Sequence, residues 1–247
     1  MTSKQYASAT EQAERSRLLE LFKNCPIPDE EILLNLGLFI RRQSLTRILF
    51  MHEIYRKQVD VHGVVMEFGT RWGQNLALFE SFRGIYEPYN HNRKLIGFDT
   101  FAGFPSMHAK DGKADIASKG QYAVTDKYEE YLEQILAYHE QESPVSHIQK
   151  FKLIKGDASV ELEKYLTDNP ETIISLAYFD FDIYKPTKKC LQLIKKHITR
   201  GTVLGFDELG VHDFPGETLA FHEELGLQNH RIIRSPYSSV NSYIVIE

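Results

Sequence analysis

The chain contains very little cysteine and no long hydrophobic run, and each scarcity excludes a class of protein. Its two cysteines, Cys25 and Cys190, lie far apart among 247 residues. Two scattered cysteines supply neither a disulfide framework nor a cysteine-based metal motif. No apolar run approaches the ~20 residues needed to cross a bilayer, and the polar stretch 1–17 does not form a signal peptide. We therefore expect a cytoplasmic protein with no membrane partner.

The chain also has no excess of positive charge. The 29 lysines and arginines are outnumbered by 34 aspartates and glutamates, which gives a formal net charge of −5. Surfaces that bind nucleic acid are basic, so we expect no nucleic-acid partner. The hydrophobic share of 42% and the charged share of 26% are ordinary for a globular protein with a substantial core.

The N-terminal part of the chain has a helical pattern. Apolar residues recur at spacings of three and four over 13–22, 29–40 and 45–55, which predicts three helices. Pro26 and Pro28 separate the first helix from the second. We interpret residues 1–58 as a helical extension and 59–247 as the main domain. The extension would cover an edge of the core, line part of a substrate cleft, or bind a second copy of the chain, which predicts a homo-oligomer.

From residue 63 onward, apolar strands alternate with helices. Near-continuous apolar strands separated by helices predict an α/β fold whose mostly parallel sheet is covered on both faces. The last two strands lie close enough together for a terminal hairpin. The pattern resembles the Rossmann-like, doubly wound, seven-stranded sheet of class I methyltransferases. The predicted strands are 63–68, 94–98, 151–155, 173–179, 202–206, 230–234 and 242–246, and the predicted helices between them are 74–82, 128–139, 159–166, 186–197 and 217–225.

The turn after the first of these strands carries two glycines, Gly69 and Gly73. A strand, a glycine-bearing turn and a helix present backbone N–H groups to a nucleotide-like cofactor. NAD-binding turns use G-x-G-x-x-G to seat a pyrophosphate, whereas this turn has bulky Trp72 between its glycines. The pattern therefore favours S-adenosylmethionine over NAD. We expect the two glycines to leave room for the amino-acid portion of that cofactor.

Acidic residues recur where the predicted strands end. Any single one of them can be only a helix N-cap, but five in phase with successive strands point to a ligand site at the carboxyl edge of the sheet. Asp99 is placed to accept hydrogen bonds from ribose hydroxyls, and Asp157 is placed to meet an adenine amino group. The five residues are Glu67, Asp99, Asp157, Asp180 and Asp207.

A second acidic group is formed by Asp180, Asp207 and Glu208. Two neighbouring strand tips would bring these carboxylates together, and hard oxygen ligands of this kind suit Mg²⁺, Ca²⁺ or Mn²⁺. A bound ion would lower the pKa of a coordinated acceptor hydroxyl, and methyl transfer then depends mainly on alignment. A solvated acidic rim or a pair of helix caps is the alternative.

Several ordered motifs resemble the macrocin/mycinamicin-type sugar O-methyltransferases. These motifs are MEFGTRWG at 66–73, IGFDTFAGFP at 96–105, AYFDFDIYKPT at 177–187 and FDE at 206–208. The calicheamicin-pathway branch of that family also shares IRRQSL at 40–45, YEPYN at 86–90 and PGE at 215–217. The resemblance covers roughly residues 15 to 230, and it is more specific for the family than for the substrate.

The resemblance implies an S-adenosylmethionine-dependent, magnesium-dependent (or other divalent-metal-dependent) O-methyltransferase that acts on a hydroxyl of a deoxysugar or a glycosylated natural product. Its metal ligands would be Asp180, Asp207 and Glu208, although the commoner family pattern has two aspartates in place of Asp207-Glu208. Asp180 would also be the catalytic base. The implied cofactor-binding residues are Glu67, Gly69, Thr70, Arg71, Gly73, Asp99, Thr100, Gly156, Asp157 and Asp180, and the candidate substrate contacts are Asp182, Tyr184, His212 and Glu217.

Two other functions fit the same residues. A catechol-like or other small-molecule O-methyltransferase would use the same metal to chelate a vicinal diol, and a non-catalytic protein would bind S-adenosylmethionine without turnover. The polar segment 106–120 is predicted to be a mobile loop or lid. Four tyrosines (Tyr122, Tyr128, Tyr131 and Tyr138) are predicted to be core or interface residues on a helix.

Overall fold

The computed structural model describes residues 7–112 and 118–247, and these form two compact units, Met1–Arg47 and Ile48–Glu247. Part of the predicted lid at 106–120 and the first six residues of the predicted extension therefore lie outside the described residues. Helix α3, Arg42–Gln58, crosses from the first unit into the second. The proposed domain boundary after residue 58 stays a prediction. No helix in the described part of the chain is long and apolar enough to span a membrane.

The first unit begins with helix α1, Ala9–Lys23, which contains the predicted helix 13–22. Its start is fixed by a capping box. The Glu11 N–H donates to the Ser8 hydroxyl at 3.2 Å, and the Ser8 N–H donates to the Glu11 carboxylate at 2.8 Å. Each bond satisfies a backbone donor that the helix itself leaves unpaired.

The predicted helix over 29–40 is wrong in length. Helix α2 covers only Asp29–Ile32, and a single 3₁₀ turn follows at Leu36–Leu38. The Asn35 side chain donates to the Glu31 carbonyl at 3.0 Å, and side-chain bonds of this kind compete with helical pairing. Gly37 also has low helix propensity. The apolar spacing there does not bury a face, because Leu33 and Leu34 are exposed.

The second unit contains one seven-stranded sheet in the order β3-β2-β1-β4-β5-β7-β6. Strands β1 to β5 pair in parallel, and β7 runs antiparallel to both β5 and β6. The predicted α/β, doubly wound fold with a terminal hairpin is confirmed. The strands are β1 Val64–Phe68, β2 Leu95–Asp99, β3 Phe151–Lys155, β4 Ile174–Phe179, β5 Ile198–Phe206, β6 Ile233–Arg234 and β7 Ser242–Val245.

Helices cover both faces of the sheet. Helices α6 to α8 pack on one face, against Met66 and Phe179 of the central strands, and helices α3 to α5 pack on the other, against Val65 and Leu176. Strands β1 and β4 are buried at every position, which explains why their sequences are almost continuously apolar. The helices that follow α3 are α4 Gln74–Tyr86, α5 Tyr128–Glu142, α6 Ala158–Asp168, α7 Tyr184–Ile194 and α8 Gly216–Glu224.

The strand order creates a switch point between β1 and β4. The chain moves from β1 outward to β2 and β3, and then returns to the other side of β1 as β4. In open α/β sheets the crevice at the carboxyl ends of such a strand pair is the usual ligand site. The topology therefore places the glycine turn after β1 beside the acidic segment after β4.

Candidate active site

The turns after β1 and β4 touch each other through Gly69. This residue has φ +93°, and a Cβ built on it would lie 2.1 Å from the Asp180 carbonyl oxygen. The Asp180 N–H donates to the Phe68 carbonyl at 2.8 Å. Only glycine allows both this backbone conformation and this approach. The predicted cofactor turn and the acidic segment therefore meet backbone to backbone.

Gly73 has a different role in the packing. It precedes α4 with φ +75°, and a Cβ there would lie 2.2 Å from Cδ1 of Leu132, on α5. The position requires glycine because α4 and α5 approach each other closely. Its predicted role in making room for the cofactor stays a prediction.

Asp99 connects the turn after β1 to the turn after β2. Its two carboxylate oxygens accept hydrogen bonds from the Arg71 N–H at 2.7 Å and the Phe101 N–H at 2.6 Å. Burial raises the pKa of the Asp99 carboxyl, and these two backbone bonds oppose that rise. A carboxylate oxygen accepts more than one hydrogen bond, so the predicted contact with ribose hydroxyls is compatible with both.

Asp157 caps helix α6. One of its carboxylate oxygens accepts from the Ser159 N–H at 2.9 Å and from the Ser159 hydroxyl at 2.6 Å. The helix-cap alternative is therefore realised at this residue, and its contact with adenine stays a prediction. The adjacent Gly156 has φ +151°, and its N–H donates to the Asp99 carbonyl at 2.9 Å.

The other residues predicted to bind the cofactor surround the same two turns. Glu67 is fully buried in β1, and Thr70 is almost fully buried. The Thr70 hydroxyl has no hydrogen-bond partner within the described part of the chain. Most buried polar side-chain atoms do have a hydrogen-bond partner. The Thr100 hydroxyl donates to the Gly103 carbonyl at 2.7 Å, which stabilises the turn after β2.

Five carboxylates converge at the ends of β4 and β5. Burial raises the pKa of the Glu217 carboxyl well above its usual range, and the charges of Asp207 and Asp180 raise it further. Burial also raises the pKa of Asp182 well above its usual range, together with the charges of Asp180 and Glu208. Hydrogen bonds from the Asp182 and Glu208 N–H groups to the Glu217 carboxylate place these three residues side by side.

Glu217 holds this cluster in place. One carboxylate oxygen accepts from the N–H groups of Phe181 at 3.1 Å and Asp182 at 3.3 Å, and the other accepts from the Glu208 N–H at 3.2 Å. Its side chain is fully buried. Glu217 therefore fixes the backbone of both acidic segments, and its predicted contact with substrate stays a prediction.

Asp207 is positioned by two residues that sequence reasoning missed. The Tyr178 hydroxyl and the Asn241 side-chain amide each donate to the same Asp207 carboxylate oxygen at 2.6 Å. Asn241 reaches it because Ser242 pairs with Phe206 across β5 and β7. The sequence pattern predicted the terminal hairpin but not the pairing of β7 with β5, so it contained no signal that placed Asn241 near the end of β5.

The chemistry of the acidic cluster suits a hard cation, because every donor is a carboxylate oxygen. Its geometry does not yet form a metal site. Among residues 7–112 and 118–247, no group of three or more His, Cys, Asp or Glu side chains is arranged so that it could hold a metal ion.

Tyr184 and His212 are the other two candidate substrate residues. The Tyr184 hydroxyl donates to Glu223 at 2.6 Å and accepts from Lys188 at 3.1 Å and from Lys110 at 3.2 Å. His212 is exposed. Substrate contacts by Tyr184 and His212 stay predictions.

An arginine–tyrosine pair also borders the cluster. The Arg71 guanidinium carbon lies 4.7 Å from the centroid of the Tyr122 ring. Tyr122 precedes α5, so its predicted place on a helix is wrong. Burial, with the charges of Asp182 and Glu208, raises the pKa of Tyr122 to about 12. Its phenol therefore lies in the field of the acidic cluster.

Comparisons with solved structures identify close relatives. The crystal structure of CalS11, a calicheamicin methyltransferase, is 41% identical, covers 97% of this chain and 94% of that chain, and has a TM-score of 0.95. The apo structure of CalS11, described as a TDP-rhamnose 3'-O-methyltransferase in calicheamicin biosynthesis, is 38% identical over 97% of this chain and 96% of that chain, with a TM-score of 0.86. The O-methyltransferase NovP shares only the fold, at 14% identity over 82% and 80% of the two chains and a TM-score of 0.60. No family model and no curated protein matches the chain.

Proposed function

We propose that this chain methylates a hydroxyl of a nucleotide-linked deoxysugar. The premise is that it belongs to the calicheamicin-branch sugar O-methyltransferases and is an S-adenosylmethionine-dependent O-methyltransferase. The support for the acceptor is the description of CalS11 as a TDP-rhamnose 3'-O-methyltransferase. A sugar already attached to a natural product is the other form that this acceptor could take.

The contact between Gly69 and Asp180 is the observation that best supports this function. The turn assigned to the methyl donor touches the segment assigned to the acceptor, because a Cβ built on Gly69 would lie 2.1 Å from the Asp180 carbonyl oxygen. A transfer between donor and acceptor requires the nucleophile, the methyl carbon and the sulfur to be aligned. Two backbone segments fixed against each other provide that alignment.

Several residues of this chain have separate roles in the proposed methyl transfer. S-adenosylmethionine supplies a methyl group on a positively charged sulfur. Asp99 and Asp157 hold the turns on which we place its ribose and adenine. Asp180 accepts the proton of the acceptor hydroxyl as the new C–O bond forms and the C–S bond breaks, and S-adenosylhomocysteine leaves.

We also propose that a divalent cation binds Asp180, Asp207 and Glu208, with magnesium as the first candidate. The support is that these three carboxylates follow the adjacent strands β4 and β5, and that the Glu217 carboxylate holds the backbone after both strands. Tyr178 and Asn241 already orient Asp207. Because no such group of carboxylates is arranged as a metal site in the described part of the chain, this proposal includes a local rearrangement on binding.

Replacement of Asp180 by asparagine is expected to lower kcat/KM by about 100-fold or more, because it removes both the proton acceptor and a charged metal ligand. Asp168→Asn, at the exposed end of α6, is the control and should leave kcat/KM unchanged. Calorimetric titration with Mg²⁺ or Mn²⁺ separates the two roles. If wild type and Asp180→Asn bind the ion equally well, Asp180 is not a ligand, and if chelation by EDTA leaves turnover unchanged, the metal proposal is wrong.

Mass spectrometry tests the acceptor class. The wild-type protein is incubated with S-adenosylmethionine, Mg²⁺ and a panel that contains TDP-rhamnose, glycosylated natural products and catechol. We expect TDP-rhamnose to gain one methyl group and S-adenosylhomocysteine to appear in equal amount. Methylation of catechol alone would instead support the small-molecule alternative, and binding without any turnover would support a non-catalytic role.

We propose further that the protein is a cytoplasmic homo-oligomer. The support for the location is that both cysteines are free. The support for self-association is the first unit, in which Leu33 and Leu34 are 79% and 84% exposed, since exposed apolar groups of this kind mark interfaces. Sedimentation velocity is expected to show a dimer or larger species that Leu33→Ser/Leu34→Ser dissociates. Lys164→Ser, also on the surface, is the control, and a monomeric wild type would contradict the proposal.

A further inference from the structure

The turn after β2 is joined to the segment that leads into α5. The Phe104 N–H donates to the Gln121 carbonyl at 3.0 Å, and the Gly120 N–H donates to the Phe104 carbonyl at 3.0 Å. A Cβ on Gly103, whose φ is +76°, would lie 2.2 Å from the Gln121 carbonyl oxygen. The three residues Phe104, Gly120 and Gln121, which we call the clasp, therefore fix the position of the residue that follows them.

That residue, Tyr122, contacts both turns that carry the predicted cofactor residues. Its ring packs edge-to-face on Phe104 from the β2 turn, with ring centroids 5.2 Å apart. The Arg71 guanidinium from the β1 turn lies over the Tyr122 ring at 4.7 Å, and the Arg71 N–H is held by Asp99 at 2.7 Å. Tyr122 is only half buried, so part of the side chain stays accessible.

Three residues at this place have unusual backbone conformations for residues with a Cβ. Arg71 has φ +48°, Tyr122 has φ +67° and Asp182 has φ +60°. Such conformations are unfavourable for L-residues. They persist where the surrounding structure over-determines them, and they concentrate at active sites and ligand clamps. Arg71, Tyr122 and Asp182 thus have the backbone conformations that are concentrated at binding sites.

The phenol of Tyr122 is a hydrogen-bond donor in this setting. A tyrosine hydroxyl is protonated at neutral pH, and burial, with the charges of Asp182 and Glu208, raises its pKa further, to about 12. A tyrosine offers an apolar ring and a polar tip in one side chain. A sugar offers the matching surface, because its C–H groups form an apolar face and its hydroxyls surround the edge.

We propose that Tyr122 is a specificity-determining residue that contacts the acceptor sugar, with its ring on the C–H face and its hydroxyl donating to an acceptor oxygen. The inference rests on the proposed function and deepens it. The clasp and Arg71 position the ring beside the turn after β1, and Gly69 of that turn contacts the Asp180 carbonyl. The acceptor is thereby held between Tyr122 and Asp180.

Steady-state kinetics of Tyr122→Leu and Tyr122→Phe test this inference, with Tyr89→Leu, an exposed loop tyrosine, as the matched control. The acceptor is the sugar that the wild type methylates in the panel above. Tyr122→Leu is expected to raise the acceptor KM by about tenfold or more, and Tyr122→Phe by a smaller factor, because loss of a substrate contact appears in KM. The dissociation constant for S-adenosylhomocysteine, measured by calorimetry, should stay within about twofold of wild type in both variants.

The outcomes separate the inference from the function on which it rests. If the wild type methylates a sugar and both variants keep its acceptor KM, the inference is wrong and the proposed function stands. If Tyr122→Leu loses affinity for S-adenosylhomocysteine as much as for the acceptor, Tyr122 supports the cofactor turn and the inference is again wrong. If the wild type methylates no sugar in the panel, both fail. Tyr122→Phe keeps the ring and its packing, so it tests the hydroxyl even if Tyr122→Leu misfolds.

Discussion

Replacement of Gly69 by alanine is expected to lower kcat/KM by at least about 100-fold, because a displacement of about 1 Å between reacting groups has an effect of that size. The added methyl group would lie 2.1 Å from the Asp180 carbonyl oxygen, so one of the two turns must move. Moving them separates the donor and acceptor parts of the site. Alanine must also keep φ near +93°, which is disfavoured by about 1 to 2 kcal/mol.

Gly210→Ala is the matched control for this prediction. Gly210 also has a positive φ, +79°, but a Cβ there meets nothing within 4 Å. Its replacement carries the backbone strain without the collision. We therefore expect a loss of stability of about 1 to 2 kcal/mol in Gly210→Ala, with kcat/KM close to that of the wild type. Equal activity losses in the two variants would show that strain, and not contact with Asp180, makes glycine necessary at position 69.

The sheet could be predicted because its central strands are buried on both faces. Burial on both faces leaves a continuous apolar run that is readable without any neighbour, and β1 and β2 begin and end within one residue of the predicted bounds. The edge strand β6 is the contrast. The prediction for β6 was 230–234, but only Ile233 and Arg234 pair with β7, and short, interrupted pairing is common at a sheet edge.

Site residues that directly follow a strand could be predicted from the sequence. Their hydrogen-bond partners could not. Strand ends place Asp99, Asp180 and Asp207 at one edge of the sheet by topology alone. The bonds that orient the segments after the strands come from residues distant in the chain, such as Glu217, which accepts from the Asp182 N–H, and Asn241, which donates to Asp207. No periodicity or spacing connects those residues to the strand ends, because only the tertiary fold brings them together.

Glycine illustrates a second limit of the sequence. The two glycines of the β1 turn were interpreted as space for a ligand, which is one of several reasons for a glycine. The structure gives each a partner within the chain, namely the Asp180 carbonyl for Gly69 and Leu132 for Gly73. A sequence shows that a Cβ is absent, but it does not show what occupies the space.

Replacement of Arg83 by methionine is expected to lower the free energy of unfolding by about 3 to 5 kcal/mol, because it leaves the buried Glu80 carboxylate without its cation. Arg83 is only 1% exposed. Its guanidinium donates to Glu80 at 2.7 Å and to Glu140 at 3.1 Å, and Lys150 also pairs with Glu140. Two cations and two anions therefore balance between α4, α5 and the start of β3. Methionine preserves much of the volume and removes the charge.

The loss of stability in Arg83→Met should also depend on pH. Burial, with the charge of Glu140, raises the pKa of Glu80 to about 7, and the charge of Arg83 opposes that rise. The folded state therefore holds this proton more tightly than the unfolded state, so this carboxyl lowers stability as the pH rises from about 4.5 to about 7. Without Arg83 the pKa rises further and the loss continues above pH 7. The stability gap between wild type and variant should widen with increasing pH.

Urea unfolding at a series of pH values measures both effects, and Lys164→Met serves as the control. Lys164 pairs with Glu161 at 2.7 Å, but it is 61% exposed, and surface pairs of this kind contribute about 0 to 1 kcal/mol. If Arg83→Met were no more destabilising than Lys164→Met, the buried network would be energetically neutral. If the gap stayed constant with pH, the pKa of Glu80 would be the same with and without Arg83. Either result would mean that packing of α4 on α5, and not charge balance, stabilises this side of the sheet.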